Sequence, residues 1–554
     1  MVKGGSIIPV VTVYYDRIFS MLKGDISKDE LIDKIPYLGL DIEEQTEEYI
    51  KIEYNPNRPD YSTDYGLARS LNSFLDFETQ YSKYDVYESD LVVNIDKSTK
   101  DVRPYIVAAV IKDIKLEDET IRQIITMQED LHNGIGRKRK KVAIGIHNLD
   151  VIESPLEYIT VDDSFSFMPL NKDSDMTIKE ILDSEIGNQY ASILAGKNLY
   201  PIIRDANKQV LSFPPIINGD LTRLDSKTTN LFIDVTGTDL DSVCNALSVI
   251  FTTLNDAGGK VHTVEINSDN SKIKTPQIKE DVIEVELEYV RSLLGLELSE
   301  KEIITYLRRC RISANIENNK VRVKTEPFRF DLIHPVDVIE EIVLGYGIHN
   351  LKPTLPGSDM TGGFDKNQQF LDKARDVLTG LGLIEIMTIG LISEDMLKKS
   401  EMSTNNLLKV VDTKSIEHEV LKNSNVPAIL KTFSKNIHKK YPQRIFEISR
   451  VFNKTDNEIQ EHYQLTVGLA HATVNFTEAS SYLNAFGKQL LDINLLTRAN
   501  ESELFVKGRG AEIINEKGIK IGIVGEINPQ VLENFALRTP ISLFDIDLDE
   551  LMKR

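Results

Sequence analysis

The chain has 554 residues, of which 41% are hydrophobic, and a formal net charge of −21 at pH 7. This length predicts roughly three to five domains, and the acidic charge argues against a general binder of polyanions while leaving room for local basic faces. No run of about eighteen apolar residues occurs, so we expect no contact with a membrane. The two cysteines, Cys244 and Cys310, lack metal-ligand spacing and indicate a reducing compartment, the cytoplasm.

Residues 1–88 predict a first small unit. Alternating apolar residues in 11–15 indicate a strand. The segment 27–30 (Ser-Lys-Asp-Glu) has the spacing of a helix capping box. The motif Pro56-Asn-Arg-Pro-Asp60 then precedes a helical pattern over 64–75. We therefore expect a strand, a capped helix and a second helix in this order.

Residues 89–266 predict a mixed α/β domain of short β-branched strands. A helical pattern over 121–131 is followed by the basic run 137–141 (Arg-Lys-Arg-Lys-Lys) and by a strand over 142–146 that ends beside His147. A basic run without interleaved aromatic residues is typical of a solvated turn. Its alternative role is to grip phosphates.

The pattern of the first unit recurs in residues 276–352, after a polar segment (267–276) that we predict to be a linker. An offset of 272 residues carries Ser27 to Ser299, and an offset of 271 residues carries Asp60 to Asp331. We therefore predict a duplicated strand–helix unit whose two copies differ by one residue of loop.

Four acidic residues mark the second copy: Asp331, Asp337, Glu340 and Glu341. Asp331 precedes a predicted helix that starts near Pro335, and the other three lie on one face of that helix. Like charges at these spacings cost a few tenths of a kcal/mol per pair, which indicates a neutralising partner. Oxygen ligands alone favour a hard cation such as Mg²⁺. The alternative is a solvated acidic first turn that complements the helix dipole.

The first copy of the repeat serves as an internal control for these acids. It carries Arg69 and Ser70 where the second copy carries Glu340 and Glu341. The scaffold therefore does not need the glutamates to fold, which favours a ligand role for them.

Residues 364–554 predict a last unit, preceded by a second linker. The pattern indicates an amphipathic helix over 367–381, a strand over 385–392 and a strand over 443–449.

The sequence Pro327-Phe-Arg-Phe-Asp331, followed by Asp337-Val-Ile-Glu-Glu341 and Tyr346-Gly347, resembles the magnesium-binding module of the phenylalanyl-tRNA synthetase β subunit. The resemblance implies Mg²⁺ held by the four acids named above. It extends along nearly the whole chain, in the domain order of the shorter archaeal and eukaryotic form. It implies an α+β multidomain protein.

Residues 137–147 and 214–219 (Pro-Pro-Ile-Ile-Asn-Gly) look like the editing domain of the same family. This implies hydrolysis of tyrosine mis-attached to the phenylalanine tRNA, because an aromatic pocket rejects an added hydroxyl poorly by size alone. The candidate pocket residues lie at strand ends beside glycines: Asn218, Thr236, Gly237, Thr238 and Asp239, with His147 as a further candidate. Turn chemistry explains these residue types equally well.

The last unit is similar to the family's class II synthetase-like domain, an antiparallel sheet with flanking helices. A working class II site needs arginines to meet charge on the ATP phosphates. Arg444-Ile-Phe-Glu447 has one residue too many for the usual arginine-x-glutamate pair, and the segment 525–528 (Gly-Glu-Ile-Asn) lacks a glycine-rich run ending in arginine. We predict a non-catalytic domain for dimerisation and scaffolding.

The resemblance implies a β subunit that works with a separate α subunit, in an assembly of two α and two β chains. The α subunit is then expected to bind ATP and L-phenylalanine and to charge tRNA(Phe). The alternative is a non-enzymatic RNA- or protein-binding scaffold derived from a synthetase β subunit, which the degenerate C-terminal site permits.

Overall fold

The structure is a computed structural model that describes residues 8–79, 84–225, 227–269, 271–355, 357, 361–455 and 458–553. The chain divides into two compact units, Met1–Leu355 and Pro356–Arg554. Within the described ranges, no helix combines the length and the apolar character needed to cross a membrane.

The first described residues form a three-stranded antiparallel sheet and its helices. Its elements are β1 (Val10–Tyr14), α1 (Tyr15–Met21), α2 (Lys28–Lys34), β2 (Asp41–Gln45), β3 (Tyr49–Glu53) and α3 (Asp64–Phe74), with the strand order β1-β3-β2. Ser27 and Glu30 form the predicted capping box at the start of α2.

Two larger sheets and a two-stranded sheet formed by the ninth and tenth strands follow. Their strands are β4 (Val86–Tyr87), β5 (Val92–Ile95), β6 (Tyr105–Lys112), β7 (Val142–Asn148), β8 (Leu156–Val161), β9 (Ser166–Phe167), β10 (Met176–Thr177), β11 (Tyr200–Arg204), β12 (Val210–Phe213), β13 (Ile217–Asn218), β14 (Leu231–Gly237), β15 (Lys260–His262), β16 (Val264–Ser268) and β17 (Ser271–Thr275). The helices between them are α4 (Asp118–Asn133), α5 (Ile178–Asp183), α6 (Glu185–Tyr190) and α7 (Leu240–Asp256).

The five-stranded sheet has the order β4-β15-β6-β14-β7, and the seven-stranded sheet has the order β13-β12-β11-β8-β5-β16-β17. All seven residues of β14 are buried, because this strand lies between β6 and β7 with packed side chains on both faces. Strand β7 is an edge strand, and α4 covers it. This arrangement brings α4, β7 and β14 together around the site described below.

One predicted boundary is wrong. The segment 267–276, which we predicted to be a linker, contains the end of β16 and all of β17, and these two strands pair antiparallel. The first four residues of β17 are exposed at the edge of the sheet. An exposed edge strand carries polar side chains on both faces, so its composition resembles that of a linker.

The second copy of the first sheet consists of β18 (Val282–Glu286), α8 (Leu287–Leu294), α9 (Glu300–Arg309), β19 (Ser313–Glu317), β20 (Lys320–Lys324) and α10 (Pro335–Tyr346). Its strand order, β18-β20-β19, repeats that of the first copy. The copies differ within one hairpin: β2 pairs with β3 with a register shift between Ile42 and Glu44, which leaves Glu43 as an extra residue, whereas β19 pairs with β20 without a shift. This is the duplication inferred from the sequence, with the extra residue located.

The unit Pro356–Arg554 is built on a seven-stranded sheet of order β21-β24-β25-β29-β28-β27-β26. Its strands are β21 (Ile384–Glu385), β22 (Leu391–Ile392), β23 (Val420–Leu421), β24 (Gln443–Lys454), β25 (Ile459–Ala470), β26 (Leu496–Ala499), β27 (Phe505–Ile514), β28 (Lys520–Ile527) and β29 (Ile541–Asp547). Its helices are α11 (Lys366–Gly380), α12 (Glu394–Lys399), α13 (Val426–Lys435), α14 (Phe476–Leu491), α15 (Pro529–Asn534) and α16 (Leu548–Met552).

The seven-stranded sheet of this unit is antiparallel except at β21, which pairs parallel with β24. The predicted strand over 385–392 is not continuous. Its ends form β21 and β22, and these two strands belong to different sheets. The predicted helix over 367–381 is confirmed as α11.

Candidate functional site

A cavity of about 330 Å³ lies beside β14. Six of its polar lining residues are Glu129, His132, Ser212, Asn218, Asp234 and Thr236. Asp234 and Thr236 share one face of β14, because alternate residues of a strand point the same way. The residues opposite them on β7 are Gly145 and Ala143, whose small size leaves room for the cavity.

Asp234 is held by a buried histidine. His147 Nε2 lies 2.8 Å from Asp234 Oδ2, and His147 Nδ1 lies 2.7 Å from Thr222 Oγ1. The His147 side chain is completely buried. A Cβ atom at Gly145 would collide with the Asp234 carboxylate and the His147 ring, so a larger residue here would displace this pair. The segment 142–147 (Val-Ala-Ile-Gly-Ile-His) therefore supplies both the space and the partner for Asp234.

Thr236 is held by a buried arginine. Arg103 Nε donates to Thr236 Oγ1 at 3.0 Å, and Arg103 Nη2 donates to the Thr236 carbonyl at 2.7 Å. Its Nη1 also donates to the carbonyls of Arg139 and Lys140. Burial lowers the pKa of Arg103 to about 10, so the guanidinium still carries its charge at neutral pH.

The other sequence candidates separate into two groups. Asn218 lines the cavity, and its side chain accepts or donates no hydrogen bond within the part of the chain that the structure describes. Gly237, Thr238 and Asp239 do not line it. Asp239 caps α7 by accepting from the Ser242 N–H at 2.9 Å, and hydrogen bonds from the Ser242 side chain and backbone lower the pKa of Asp239. For Asp239 the turn-chemistry alternative is the better account.

The basic run 137–141 is a turn, and one of its side chains enters the cavity wall. Arg139 donates to Glu129 Oε1 at 2.7 Å and to the Ile216 carbonyl at 3.1 Å, and its guanidinium lies 4.3 Å from the Tyr190 ring centre. Arg137, Lys138 and Lys140 are exposed. The five basic residues are adjacent in sequence, but Arg139 lies in the cavity wall whereas Arg137, Lys138 and Lys140 face solvent.

Glu129 and His132 of α4 are cavity residues that the sequence reading missed. His132 Nε2 accepts the Ile144 N–H of edge strand β7 at 2.9 Å, and His132 Nδ1 lies 3.1 Å from Glu129 Oε1. The hydrogen bond with His132, together with Arg139, lowers the pKa of Glu129 to about 2. Burial lowers the pKa of His132. The sequence shows that Glu129 and His132 lie one turn apart on a helix. It does not show that His132 contacts Ile144 on β7.

The structure brings Asp331 and Glu341 together around an arginine. Arg329 donates to both oxygens of Asp331 at 2.9 Å, and its Nη2 donates to Glu341 Oε1 at 2.6 Å. All three side chains are at least nine-tenths buried. Arg329 lies inside the quoted motif, and it supplies the neutralising charge that we expected from a metal ion.

Asp337 and Glu340 have different surroundings. The Asp337 carboxylate accepts the N–H groups of Ile333 and His334 at 2.8 and 2.7 Å, and with the His334 side chain it forms a capping box for α10. Glu340 is exposed. In the described ranges, no three His, Cys, Asp or Glu side chains are grouped to hold a metal ion. As arranged here, the four acids do not fit one shared set of Mg²⁺ ligands.

The first copy of the repeat reproduces the arginine–aspartate pair. Arg58 donates from Nε and Nη2 to the two oxygens of Asp60, each at 2.9 Å. Burial alone would raise the pKa of Asp60, but Arg58, Arg69 and Arg329 lower it overall. Both motifs therefore carry the same internal ion pair, and only the second copy adds a glutamate to it.

In the C-terminal unit, Arg444 and Glu447 point to opposite faces of β24, since they are three residues apart on one strand. Glu447 accepts from the buried Lys422 Nζ at 2.7 Å and from the Thr388 hydroxyl. The Arg444 guanidinium lies 3.7 Å from Glu478. The extra residue noted in the sequence thus separates the two side chains that a class II site needs side by side.

Comparison with known proteins assigns the family. Residues 351–548 match the phenylalanyl tRNA synthetase beta chain CLM domain, and residues 283–348 match the tRNA synthetase B5 domain. The chain is 38% identical over 546 residues to the phenylalanine–tRNA ligase beta subunit of Archaeoglobus fulgidus, covering 98% of each chain. This chain belongs to the phenylalanine–tRNA ligase beta subunit family.

Two further relatives agree. The phenylalanine–tRNA ligase beta subunit of Methanococcoides burtonii is 35% identical over 551 residues, with 98% of this chain and 100% of that protein covered. The crystal structure of an N-terminal fragment of the Pyrococcus horikoshii phenylalanyl-tRNA synthetase beta subunit aligns with a TM-score of 0.58 at 34% identity. The alignment covers 61% of this chain and 99% of that fragment.

Asp545 is a buried carboxylate in the family-matched C-terminal unit. It accepts from Gln464 Nε2 at 2.8 Å and from the Thr466 hydroxyl, and burial raises its pKa to about 7. A raised folded-state pKa means that the protonated form contributes stability below the unfolded-state value near 3.8. This contribution is lost as the pH rises through about 7.

We predict that Asp545→Asn raises the free energy of unfolding at pH 8 by a few kcal/mol, because one pKa unit corresponds to about 1.4 kcal/mol. At pH 4 the variant and the wild type should differ little. Urea unfolding at both pH values measures this, with Asp376→Asn on the exposed face of α11 as the control. Equal effects of Asp545→Asn at the two pH values would contradict the prediction.

Proposed function

We propose that this chain is the non-activating β subunit of a phenylalanine–tRNA ligase. With an α subunit it attaches L-phenylalanine to tRNA(Phe) at the expense of ATP, in an assembly of two α and two β chains. The observation that carries the proposal is family membership over 98% of the chain. Because the match extends over nearly the full length, the alternative of a non-enzymatic scaffold is not favoured. Two free cysteines are consistent with work in the cytoplasm.

Exposed apolar side chains on the C-terminal unit support docking of the α subunit there. Met387 is 93% exposed, Val411 85% and Ile416 79%. Backbone hydrogen bonds join the segments that carry them, from Glu419 N–H to the Ile392 carbonyl and from Val410 N–H to the Glu419 carbonyl. Apolar groups exposed in neighbouring segments are typical of a protein interface.

The geometry of β24 supports the assignment of phenylalanine activation to the α subunit. A class II site needs arginines aimed at the ATP phosphates. Here Lys422 forms a buried ion pair with Glu447. Arg444 lies on the opposite face of β24, near Glu478. The synthetase-like sheet is therefore suited to a scaffold role.

We predict that the purified chain alone performs no phenylalanine-dependent exchange of pyrophosphate into ATP. We expect exchange once the α subunit is added. The physical reason is the missing pair of phosphate-binding arginines. The control is the α subunit alone at the same concentration. Exchange by the lone chain above background would contradict the assignment.

The cavity beside β14 supports a second activity, hydrolysis of Tyr-tRNA(Phe). It combines apolar walls such as Phe213 and Ile216 with the polar groups of Asn218, Asp234 and Thr236. Ser212 Oγ is buried there and has no hydrogen-bond partner within the described ranges. A pocket with polar groups to meet a phenolic hydroxyl distinguishes tyrosine from phenylalanine, which size alone does poorly.

We predict that Asn218→Ala and Thr236→Val slow the deacylation of Tyr-tRNA(Phe) by the αβ complex about tenfold, whereas Thr236→Ser retains most of the rate because it keeps the hydroxyl. Thr238→Ala is the matched control, because Thr238 lies outside the cavity lining. Release of labelled tyrosine measures the rate. Wild-type rates in both Asn218→Ala and Thr236→Val would assign the activity to another pocket.

The start of α10 supports a Mg²⁺ site smaller than the four-acid cluster expected from the sequence. Only Oδ2 of Asp337 accepts hydrogen bonds, and Glu340 is exposed without a hydrogen bond in the described ranges. Mg²⁺ is often held by one or two carboxylates and several waters. We infer that Asp337 and Glu340 are its ligands, and that Asp331 and Glu341 join them only if Arg329 moves away.

We predict that Glu340→Ala weakens Mg²⁺ binding to the chain several-fold, as measured by calorimetry. Glu340 is the informative position because it is exposed, whereas loss of Glu341 would remove one of the two buried partners of Arg329. Glu297→Ala, another exposed glutamate of the same copy, is the control. An unchanged affinity of Glu340→Ala for Mg²⁺ would contradict a metal site at the start of α10.

A further inference from the structure

We propose that Arg103 and His147, which do not line the cavity, are positioning residues that set the hydrogen-bond polarity of Thr236 and Asp234 towards a bound substrate. The inference rests on the proposed deacylation activity. It extends that activity to two residues behind the cavity wall. Both are buried, with exposed fractions of 1% for Arg103 and 0% for His147.

Arg103 makes the Thr236 hydroxyl a donor towards the cavity. A guanidinium has N–H donors and no acceptor, so Thr236 Oγ1 must accept from Arg103 Nε at 3.0 Å. The hydroxyl proton is then directed to a different acceptor. The carbonyls of Thr236, Arg139 and Lys140 accept the remaining guanidinium hydrogen bonds, which hold the group in place. Arg103 forms no salt bridge among the described residues, so its direct contacts are with this hydroxyl and with carbonyls.

His147 leaves Asp234 one oxygen for the cavity. Asp234 Oδ2 accepts from His147 Nε2 at 2.8 Å, whereas no hydrogen bond within the described ranges reaches Oδ1. Thr222 Oγ1, 2.7 Å from Nδ1, fixes the ring from the other side. Charged hydrogen bonds of this kind restrict the orientation of a carboxylate.

The two pairs give β14 a donor and an acceptor on one face. Residues two apart on a strand are separated by roughly 7 Å. Thr236 and Asp234 therefore lie close together in the wall of the same cavity. A phenolic hydroxyl can accept from Thr236 and donate to Asp234, whereas an ester group has no donor and can only accept from Thr236. The polarity of this wall therefore depends on two side chains that do not line the cavity, and we expect their loss to lower the rate of Tyr-tRNA(Phe) deacylation.

The test uses the αβ complex with His147→Leu, His147→Gln, Asp234→Asn and the double variant Asp234→Asn/His147→Leu. We expect His147→Leu to lower the kcat for Tyr-tRNA(Phe) deacylation on the order of tenfold, the effect of losing a hydrogen bond to a charged group. Glutamine retains an N–H donor and should restore most of the rate. On the Asp234→Asn background, His147→Leu should have little further effect. Phenylalanine charging by the same preparations should stay unchanged.

Arg103 is tested in the same way, with Arg103→Met in the wild type and on the Thr236→Val background. Equal losses in His147→Leu and His147→Gln, or additive losses in the double variants, would overturn the inference, as would wild-type kcat in His147→Leu and Arg103→Met. A wild-type complex that does not hydrolyse Tyr-tRNA(Phe) would overturn the proposed activity and this inference together. Deacylation by the wild type with no change in the variants would overturn the inference alone.

Discussion

Three buried pairs of polar side chains within the described residues determine what the candidate sites of this protein look like. An unpaired buried charge costs several kcal/mol. Arg329 meets Asp331 and Glu341, His147 meets Asp234, and Lys422 meets Glu447. In each case the partner changes the chemistry that the residue offers. The carboxylates of the second repeat copy are less available to a metal, and Glu447 is unavailable to a nucleotide.

The same constraint explains the contrast between the two repeat copies. Both keep the arginine–aspartate pair two residues apart, at Arg58 and Asp60 and at Arg329 and Asp331. The pair is therefore part of the shared scaffold. Glu341 and Glu340 are additions to that scaffold, and only Glu340 remains exposed to solvent. This is why we place the metal proposal at the start of α10.

Local features could be predicted from the sequence because they depend on spacing. The capping box at Ser27, the helix that begins at Pro335 and the repeat itself are of this kind. Partners distant along the chain could not. Asp234 and His147 are 87 residues apart, and Arg103 and Thr236 are 133 apart. The periodicity of a sequence does not indicate contacts over such separations, so the sequence does not identify Asp234 as a site residue. It shows Arg329 only as part of a motif, and not as the partner of Asp331 and Glu341.

The central claim is that the wall formed by Asp234 and Thr236 holds the tyrosyl group of a mischarged tRNA. The most direct measurement is a crystal structure of the αβ complex with a non-hydrolysable tyrosyl-adenosine, its ester replaced by an amide. The account predicts the tyrosyl group in the cavity beside β14, with its phenolic oxygen about 3 Å or less from Asp234 or Thr236. A tyrosyl group bound elsewhere on the chain, with this cavity unchanged, would contradict it.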